Sequence, residues 1–317
     1  MSRLLPALAV VVVVFLSACN RSGQPAPNPS QGAGLQAGDH PLAMVVDGQT
    51  RTYRLHVPPL GTTGPRPLIV ELHGGGGRAD NIEKLTGLTS VTDPRGWLVV
   101  APDGIGHQWN DGRPGVGSDV DDVAFIRALI DDVERRTPVD PARVFATGIS
   151  NGAMMSGRLA CDLADRLAAV AQVDGTLGVE ASAACRPTRP ISILLIAGTA
   201  DPLVPYGGGE VGTGLGLSRG TVIGAERYVQ DWLARDGLLN ARPETMTLPP
   251  DTTLTTYAVD AAAAPRITFY RVTGAGHTWP GGYQYLPAFI VGTTTRTFSA
   301  SEVIVEFFAK VTSAPAA

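Results

Sequence analysis

Val144-Phe145-Ala146-Thr147-Gly148-Ile149-Ser150-Asn151-Gly152 is the stretch on which the fold turns. Residues 144–147 are apolar or β-branched and read as a buried strand, and the run from Ala153 onward reads as a helix. Between them, a Gly-x-Ser-x-Gly pentapeptide describes a sharp strand-to-helix turn that lifts one hydroxyl above the carboxyl edge of a sheet. The flanking glycines fit such a turn, because a Cβ at either position would meet tightly folded backbone or the neighbouring strand.

Outward from this turn, short apolar runs alternate with longer helical patterns, the signature of a mostly parallel sheet covered by helices on both faces. Strands are expected over residues 51–57, 68–72, 97–101, 143–147, 168–173, 191–197 and 266–272, and helices over 81–88, 119–136, 152–164, 222–235 and 301–310. Asp80 with Glu83, and Ser118 with Asp121, are the expected helix caps. The expected class is therefore α/β, an α/β-hydrolase fold, without internal repeats or a second domain boundary inside the catalytic part.

A serine hydroxyl is a poor nucleophile at neutral pH and needs a base within hydrogen-bond reach. Of the five histidines, His40, His56, His73, His107 and His277, only His277 follows Ser150, and in this fold the acid and then the histidine follow the nucleophile. His277 also lies in a turn-rich run, residues 274–282, just past an expected strand. The acid should end the preceding strand, where Gly198-Thr199-Ala200-Asp201-Pro202 follows residues 191–197. Asp201 there can accept the second imidazole N–H, fixing the tautomer and stabilising the imidazolium. Asp174, after residues 168–173, is the runner-up.

Acyl transfer also needs donors for the developing oxyanion. His73-Gly74-Gly75-Gly76-Gly77 follows an expected strand and offers bare backbone, so the oxyanion hole is assigned to the N–H groups of Asn151 and Gly75, with Gly76 the alternative. His73 itself reads as a structural hydrogen-bonding residue. Trp109 and Trp279, in glycine-rich loops near the same edge, are candidate substrate-binding rings for an aromatic or polymeric ester.

Other patterns carry less. Gly207-x-Gly209-x-x-Gly212 fits a dinucleotide fingerprint in form, but it follows a proline-containing turn rather than a strand. Asp119, Asp121 and Asp122 suit the first turn of a helix, where the dipole favours negative charge. No His or Cys spacing suggests zinc, and the chemistry expected here needs neither a metal nor an organic cofactor. A formal charge of −4 and the lack of a Lys/Arg cluster argue against nucleic acid as a partner.

At the amino end, Arg3, the apolar residues 4–16 and Leu16-Ser17-Ala18-Cys19 read as an export signal, too short to span roughly 30 Å of hydrocarbon. The last four residues resemble a bacterial lipobox, which makes Cys19 a lipidation site. Residues 1–18 are then a lipoprotein-type signal peptide, 19–39 a disordered Ser/Gly/Gln/Pro tether, and 40–317 the catalytic domain. The expected location is the cell envelope, at the outer membrane, cell surface or periplasm, or outside the cell, with the lipid anchor the only membrane contact. Lipidation of Cys19 leaves Cys161 and Cys185, an even pair in an oxidising compartment, expected to be bonded.

Several segments together resemble the polyhydroxyalkanoate depolymerase and feruloyl esterase family of secreted α/β-hydrolases. They are residues 73–77, Trp109-Asn110-Asp111-Gly112-Arg113, Asp121-Asp122-Val123-Ala124-Phe125, residues 148–154, Gly198-Thr199-Ala200-Asp201 with Val204-Pro205-Tyr206, and residues 276–282. The resemblance implies a triad of Ser150, Asp201 and His277, a bridge between Cys161 and Cys185, and an ester substrate such as a polyester oligomer or an acylated polysaccharide. Asp174 departs from the pattern, since a small residue is expected there. Two other functions fit the same features: a serine peptidase on this fold, and a non-catalytic lipoprotein that binds glycan or polyester.

Overall fold

The computed structural model describes residues 35–61, 64–117, 119–212, 218–258 and 266–311. In chain order the strands are β1 (Gly38–Val46), β2 (Gln49–Val57), β3 (Arg66–Leu72), β4 (Leu98–Pro102), β5 (Val139–Ile149), β6 (Ala169–Val173), β7 (Ser192–Gly198), β8 (Gly208–Gly212), β9 (Ser218–Ile223), β10 (Glu244–Leu248), β11 (Thr252–Ala258) and β12 (Arg266–Val272). The helices are α1 (Ala79–Thr86), α2 (Leu88–Thr92), α3 (Asp122–Arg136), α4 (Asn151–Asp162), α5 (Val179–Ala184), α6 (Ala225–Arg235), α7 (Ala288–Val291) and α8 (Ala300–Ala309).

Ten of these strands form one sheet in the order β1-β2-β4-β3-β5-β6-β7-β12-β11-β10. The run from β4 to β12 is parallel. Antiparallel pairs extend it on both sides, and β8 with β9 makes a separate antiparallel ribbon.

Alternation along the central strands builds two cores from one sheet. On β3, Leu68, Val70 and Leu72 join one cluster with Phe125 and Leu129 of α3, Leu159 of α4 and Trp232 of α6. Ile69 joins the other, with Ile82 of α1 and Ile304 and Phe308 of α8. Both faces are covered, which is why these strands read as continuous apolar runs. On the second face, Phe145 of β5 stacks on Phe308 with ring centroids 4.5 Å apart.

The acidic run before α3 is structural. Asp121 caps the helix by accepting from the Ala124 N–H at 3.0 Å. Asp122 is buried against Arg51 at 2.6 Å, whose guanidinium also lies over the Phe125 ring.

Several expectations need correction. β1 begins at Gly38, inside the expected tether, because alternate residues of Gly38–Val46 lie half-buried while the strand pairs with β2. The expected signal peptide, Cys19 and the cap residue Ser118 lie outside the described residues. Arg78, not Asp80, stands at the N-cap of α1, without a side-chain cap bond. Gly87, in the left-handed region at φ 57°, divides the helix expected over 81–88 into α1 and α2. Residues 222–223 belong to β9, and the following helix starts at Ala225. Among the described residues, no helix is long and apolar enough to cross a membrane.

Cys161 and Cys185, 24 positions apart in sequence, form a disulfide with Cα atoms 5.1 Å apart. It ties the end of α4 to the segment after α5. Replacing both cysteines by serine is expected to lower stability by about 3 kcal/mol, seen as a lower urea midpoint. A midpoint equal to the wild type's would show that the loop was already constrained in the unfolded chain.

Candidate active site

Ser150 stands between β5 and α4 with φ 59° and ψ −124°, a left-handed conformation that non-glycine residues seldom adopt and that costs about 1–3 kcal/mol. Two bonds hold it there: its N–H donates to Val173 O at 3.0 Å, and its carbonyl accepts from Met154 N–H at 2.9 Å. The turn is possible because Gly148 and Gly152 lack side chains. A Cβ on Gly148 would lie 2.5 Å from Leu72 O, and one on Gly152 2.2 Å from the same oxygen.

β7 and β12 are neighbours in the sheet, so the loops that leave their carboxyl ends meet. Asp201 on the first accepts a hydrogen bond at 2.7 Å from Nδ1 of His277 on the second. Its other oxygen accepts the N–H groups of Leu203 and Val204 at 2.7 and 2.8 Å. The His277 backbone is fixed by its N–H donating to Val291 O at 2.6 Å, and by the Tyr285 hydroxyl donating to its carbonyl at 3.0 Å. Nδ1 is thus committed as a donor, which leaves Nε2 for the cavity.

Asp174, at φ 49°, is bound differently. One oxygen accepts the Gly198 N–H and the other the Thr278 N–H, both at 2.9 Å. It fastens the two loops that carry Asp201 and His277 without touching the imidazole by a hydrogen bond. Burial, then the charge of Asp201, pushes its carboxyl above the ordinary carboxylate range. At His277 burial acts against the imidazolium, but the Asp201 carboxylate, by charge and hydrogen bond, and the charge of Asp174 outweigh it and raise the ring above its ordinary value. Asp174, Asp201 and His277 present ligand atoms within 4.8 Å of one another. Their oxygens and Nδ1 are already occupied by the bonds above, so a cation would have to break that network.

Of the glycine run after β3, Gly76 donates its N–H to His107 O at 2.7 Å and Gly77 donates to Gly74 O at 2.9 Å. The Gly76 N–H is thus spent within the fold, while Gly75 lies beside the start of α4, its Cβ position 3.8 Å from the Asn151 Cβ. Asn151 opens α4, where backbone N–H groups have no partner within the helix. Its side chain is spent on packing: Oδ1 accepts from Trp109 N–H at 2.8 Å, and Nδ2 donates to Trp109 O at 3.0 Å and Asp111 at 2.7 Å. His73 donates to Gly74 O at 2.8 Å and accepts from Gly104 N–H at 3.0 Å. Burial pushes its pKa down, so it is a neutral structural residue.

Ser150, Asn151, Gly75 and His277 line one cavity of about 250 Å³, walled largely by Leu85, Leu203, Val211, Tyr283, Tyr285 and Leu286. The segment beyond Tyr283 carries exposed apolar side chains, with Phe289 87% exposed. Trp109 and Trp279 do not line the cavity. Both rings are buried and satisfied inside the fold, Trp109 donating to His73 O at 2.8 Å and Trp279 to Ser301 Oγ at 3.0 Å. The aromatic side chains that do line the cavity are Tyr283 and Tyr285.

A family model for esterase PHB depolymerase matches residues 51–202. A protein named "Putative esterase NocK", from Nocardia uniformis subsp. tsuyamanensis, is 36% identical over 283 residues, covering 83% of this chain and 80% of that protein. The chain belongs to the esterase PHB depolymerase family. As a member of that family it is a carboxylic ester hydrolase. Feruloyl esterase B of Piromyces equi is 34% identical over 189 residues, 56% of this chain and 34% of that enzyme, so this esterase spans about a third of that relative. An acetyl xylan esterase from Aspergillus awamori superimposes with a TM-score of 0.56 at 16% identity, covering 76% of this chain and 94% of that one, a likeness in α/β-hydrolase fold.

Sequence reasoning about this PHB depolymerase-family esterase missed the buried ion pair of Asp111 and Arg113 and the cavity residue Arg219. The first sits in a segment that the family resemblance had marked. For Arg219 there was no signal, because the register of a glycine-rich ribbon decides which side chain faces the cavity.

Proposed function

We propose that this chain hydrolyses esters through Ser150 as nucleophile, His277 as general base and Asp201 as the acid that orients it, with the oxyanion held by the N–H groups of Asn151 and Gly75. The observation that carries the reading is the bond from His277 Nδ1 to Asp201, beside a cavity that His277 shares with a serine raised on a left-handed turn. His277 Nε2 takes the hydroxyl proton as Ser150 Oγ attacks the ester carbonyl. The imidazolium then returns that proton to the departing alcohol oxygen. In the second half, His277 deprotonates a water that attacks the acyl-enzyme, and the imidazolium returns that proton to Ser150 Oγ as the acyl–oxygen bond breaks and the acid leaves.

For substrates we propose short-chain polyhydroxyalkanoate-type esters, or feruloyl and acetyl esters of polysaccharide. The family, the feruloyl esterase among the relatives, and a largely apolar cavity with two tyrosines support this class. Relative rates on hydroxybutyrate oligomers, methyl ferulate and acetylated xylan order the three, and an ester against the matching anilide separates esterase from peptidase. Export with a lipid on Cys19 is proposed from the sequence, and the Cys161 to Cys185 bond fits an oxidising compartment.

The reading is tested by the pH dependence of kcat/KM on p-nitrophenyl butyrate. Only a neutral imidazole can accept the serine proton, so activity falls as pH drops through the His277 pKa. Because that pKa is raised, the acid limb should lie above the ordinary imidazole value of about 6.5. An absence of hydrolysis across the range would overturn the reading, and a limb below that value would remove the role given to the two carboxylates.

A further inference from the structure

Arg219, in β9, lines the same cavity as Ser150 and His277. Its Nη1 lies 3.6 Å from the position a Cβ on Gly75 would take, beside the proposed oxyanion donor. The residue is exposed, and among the described residues its side chain enters no hydrogen bond or ion pair. The other charges at the cavity are answered. Arg113 forks onto Asp111, with Nε at 3.0 Å and Nη2 at 2.7 Å, and His277 is bonded to Asp201.

The placement of Arg219 is built in. Arg113 Nη1 donates to the Arg219 carbonyl at 2.6 Å, and Asp111 accepts from Asn151 Nδ2 at 2.7 Å. The side chains of Arg113 and Asp111 are 2% and 0% exposed. A buried ion pair of this kind adds little net stability compared with apolar packing, and its best attested use is to fix register. Here it fastens the backbone that carries Arg219 to the residue that opens α4.

We propose that Arg219 is a specificity-determining residue that selects esters bearing a carboxylate a few bonds from the scissile carbonyl. The inference rests on Ser150 being the nucleophile. A guanidinium presents a rigid fork of donors that matches a carboxylate, and the resulting charge-assisted bonds are about twice as strong as neutral ones. A neutral acyl chain offers that fork at most uncharged acceptors, whereas an anionic one would supply a counter-charge that no described residue supplies. The carboxylate can belong to the acyl part or to the alcohol part of the ester, and the test has an arm for each.

Mono-p-nitrophenyl adipate is compared with p-nitrophenyl hexanoate on the acyl side, and 3-acetoxybutyrate with 3-acetoxybutyramide on the alcohol side. For each pair, the ratio of kcat/KM for the anion to that for the neutral ester is measured in wild type, Arg219→Gln and Arg219→Glu. The ratio should fall about tenfold in Arg219→Gln on at least one arm, further in Arg219→Glu, and mostly through KM. The wild-type preference should also shrink between about 10 mM and about 1 M salt, as the screening length falls from roughly 30 to 3 Å. Ratios that stay equal in all three proteins on both arms overturn the selection. If those ratios stay equal while hydrolysis of the neutral ester depends on Ser150, only the selection falls. If neither ester is cleaved, or cleavage survives Ser150→Ala, the catalytic reading falls with it.

Discussion

Ser150→Ala is expected to lower kcat on p-nitrophenyl butyrate by roughly 10⁶-fold, the scale on which a triad enzyme responds to loss of its nucleophile. The change removes one oxygen atom and leaves the turn intact, because the bonds that hold it are made by the backbone of residue 150, through Val173 O and Met154 N–H. Circular dichroism and the melting temperature should therefore match the wild type. What remains is the activity of the oxyanion donors and the cavity acting on water alone, a residue of rate that triad enzymes retain. A fluorophosphonate probe should label the wild type at Ser150 and leave the variant unlabelled. A variant that keeps most of its activity and still takes the probe would remove Ser150 from the reaction.

Asp201→Asn should cost about 10⁴-fold in kcat, with little change in folding. The reason lies in how the two carboxylate oxygens are used. One accepts the N–H groups of Leu203 and Val204, so in the variant the amide oxygen stays with that turn. The amide NH₂ then faces His277 Nδ1, where the carboxylate had accepted a proton. The ring answers by placing its hydrogen on Nε2, the nitrogen that must receive the serine proton, and the base is disabled by tautomer rather than by position. Asp174→Asn is the comparison. That carboxylate holds the Gly198 and Thr278 N–H groups instead of the imidazole, so the expected loss is nearer tenfold, through looser loops. Should Asp174→Asn be the inactive variant and Asp201→Asn the active one, the two acids have been assigned in the wrong order.

The central sheet and the meeting of Asp201 with His277 could be read from the chain because each depends on order and local pattern. A strand followed by Gly-x-Ser-x-Gly and a helix fixes one edge of the sheet, and a single downstream histidine leaves little choice of partner. Of the antiparallel margins only β2 was legible, as the strand expected over residues 51–57. β10 and β11 are threonine-rich with much of their surface open to solvent, and β8 with β9 is glycine-rich, so neither gives the apolar run that marks a buried strand. The two tryptophans misled for a related reason. Nothing near Trp109 or Trp279 in sequence reveals that His73 O and Ser301 Oγ wait inside the fold for their indole N–H groups. Asp174 was noticed as out of pattern, but its bonds to two separate loops are a tertiary fact. Arg113 and Arg219 meet across more than a hundred positions of chain, a distance over which spacing carries no information.

The chain that runs from Asn151 through Asp111 and Arg113 to the Arg219 carbonyl also divides the cavity wall for anyone who wishes to redesign it. Positions 111 and 113 are joined to the serine turn and to the ribbon at once, so changes there are expected to shift the register that places Arg219 and not only the shape of the wall. Tyr283 and Leu286, by contrast, line the cavity as a rim open to solvent. That rim can be randomised for new acyl preferences while the machinery beneath it is left as it stands.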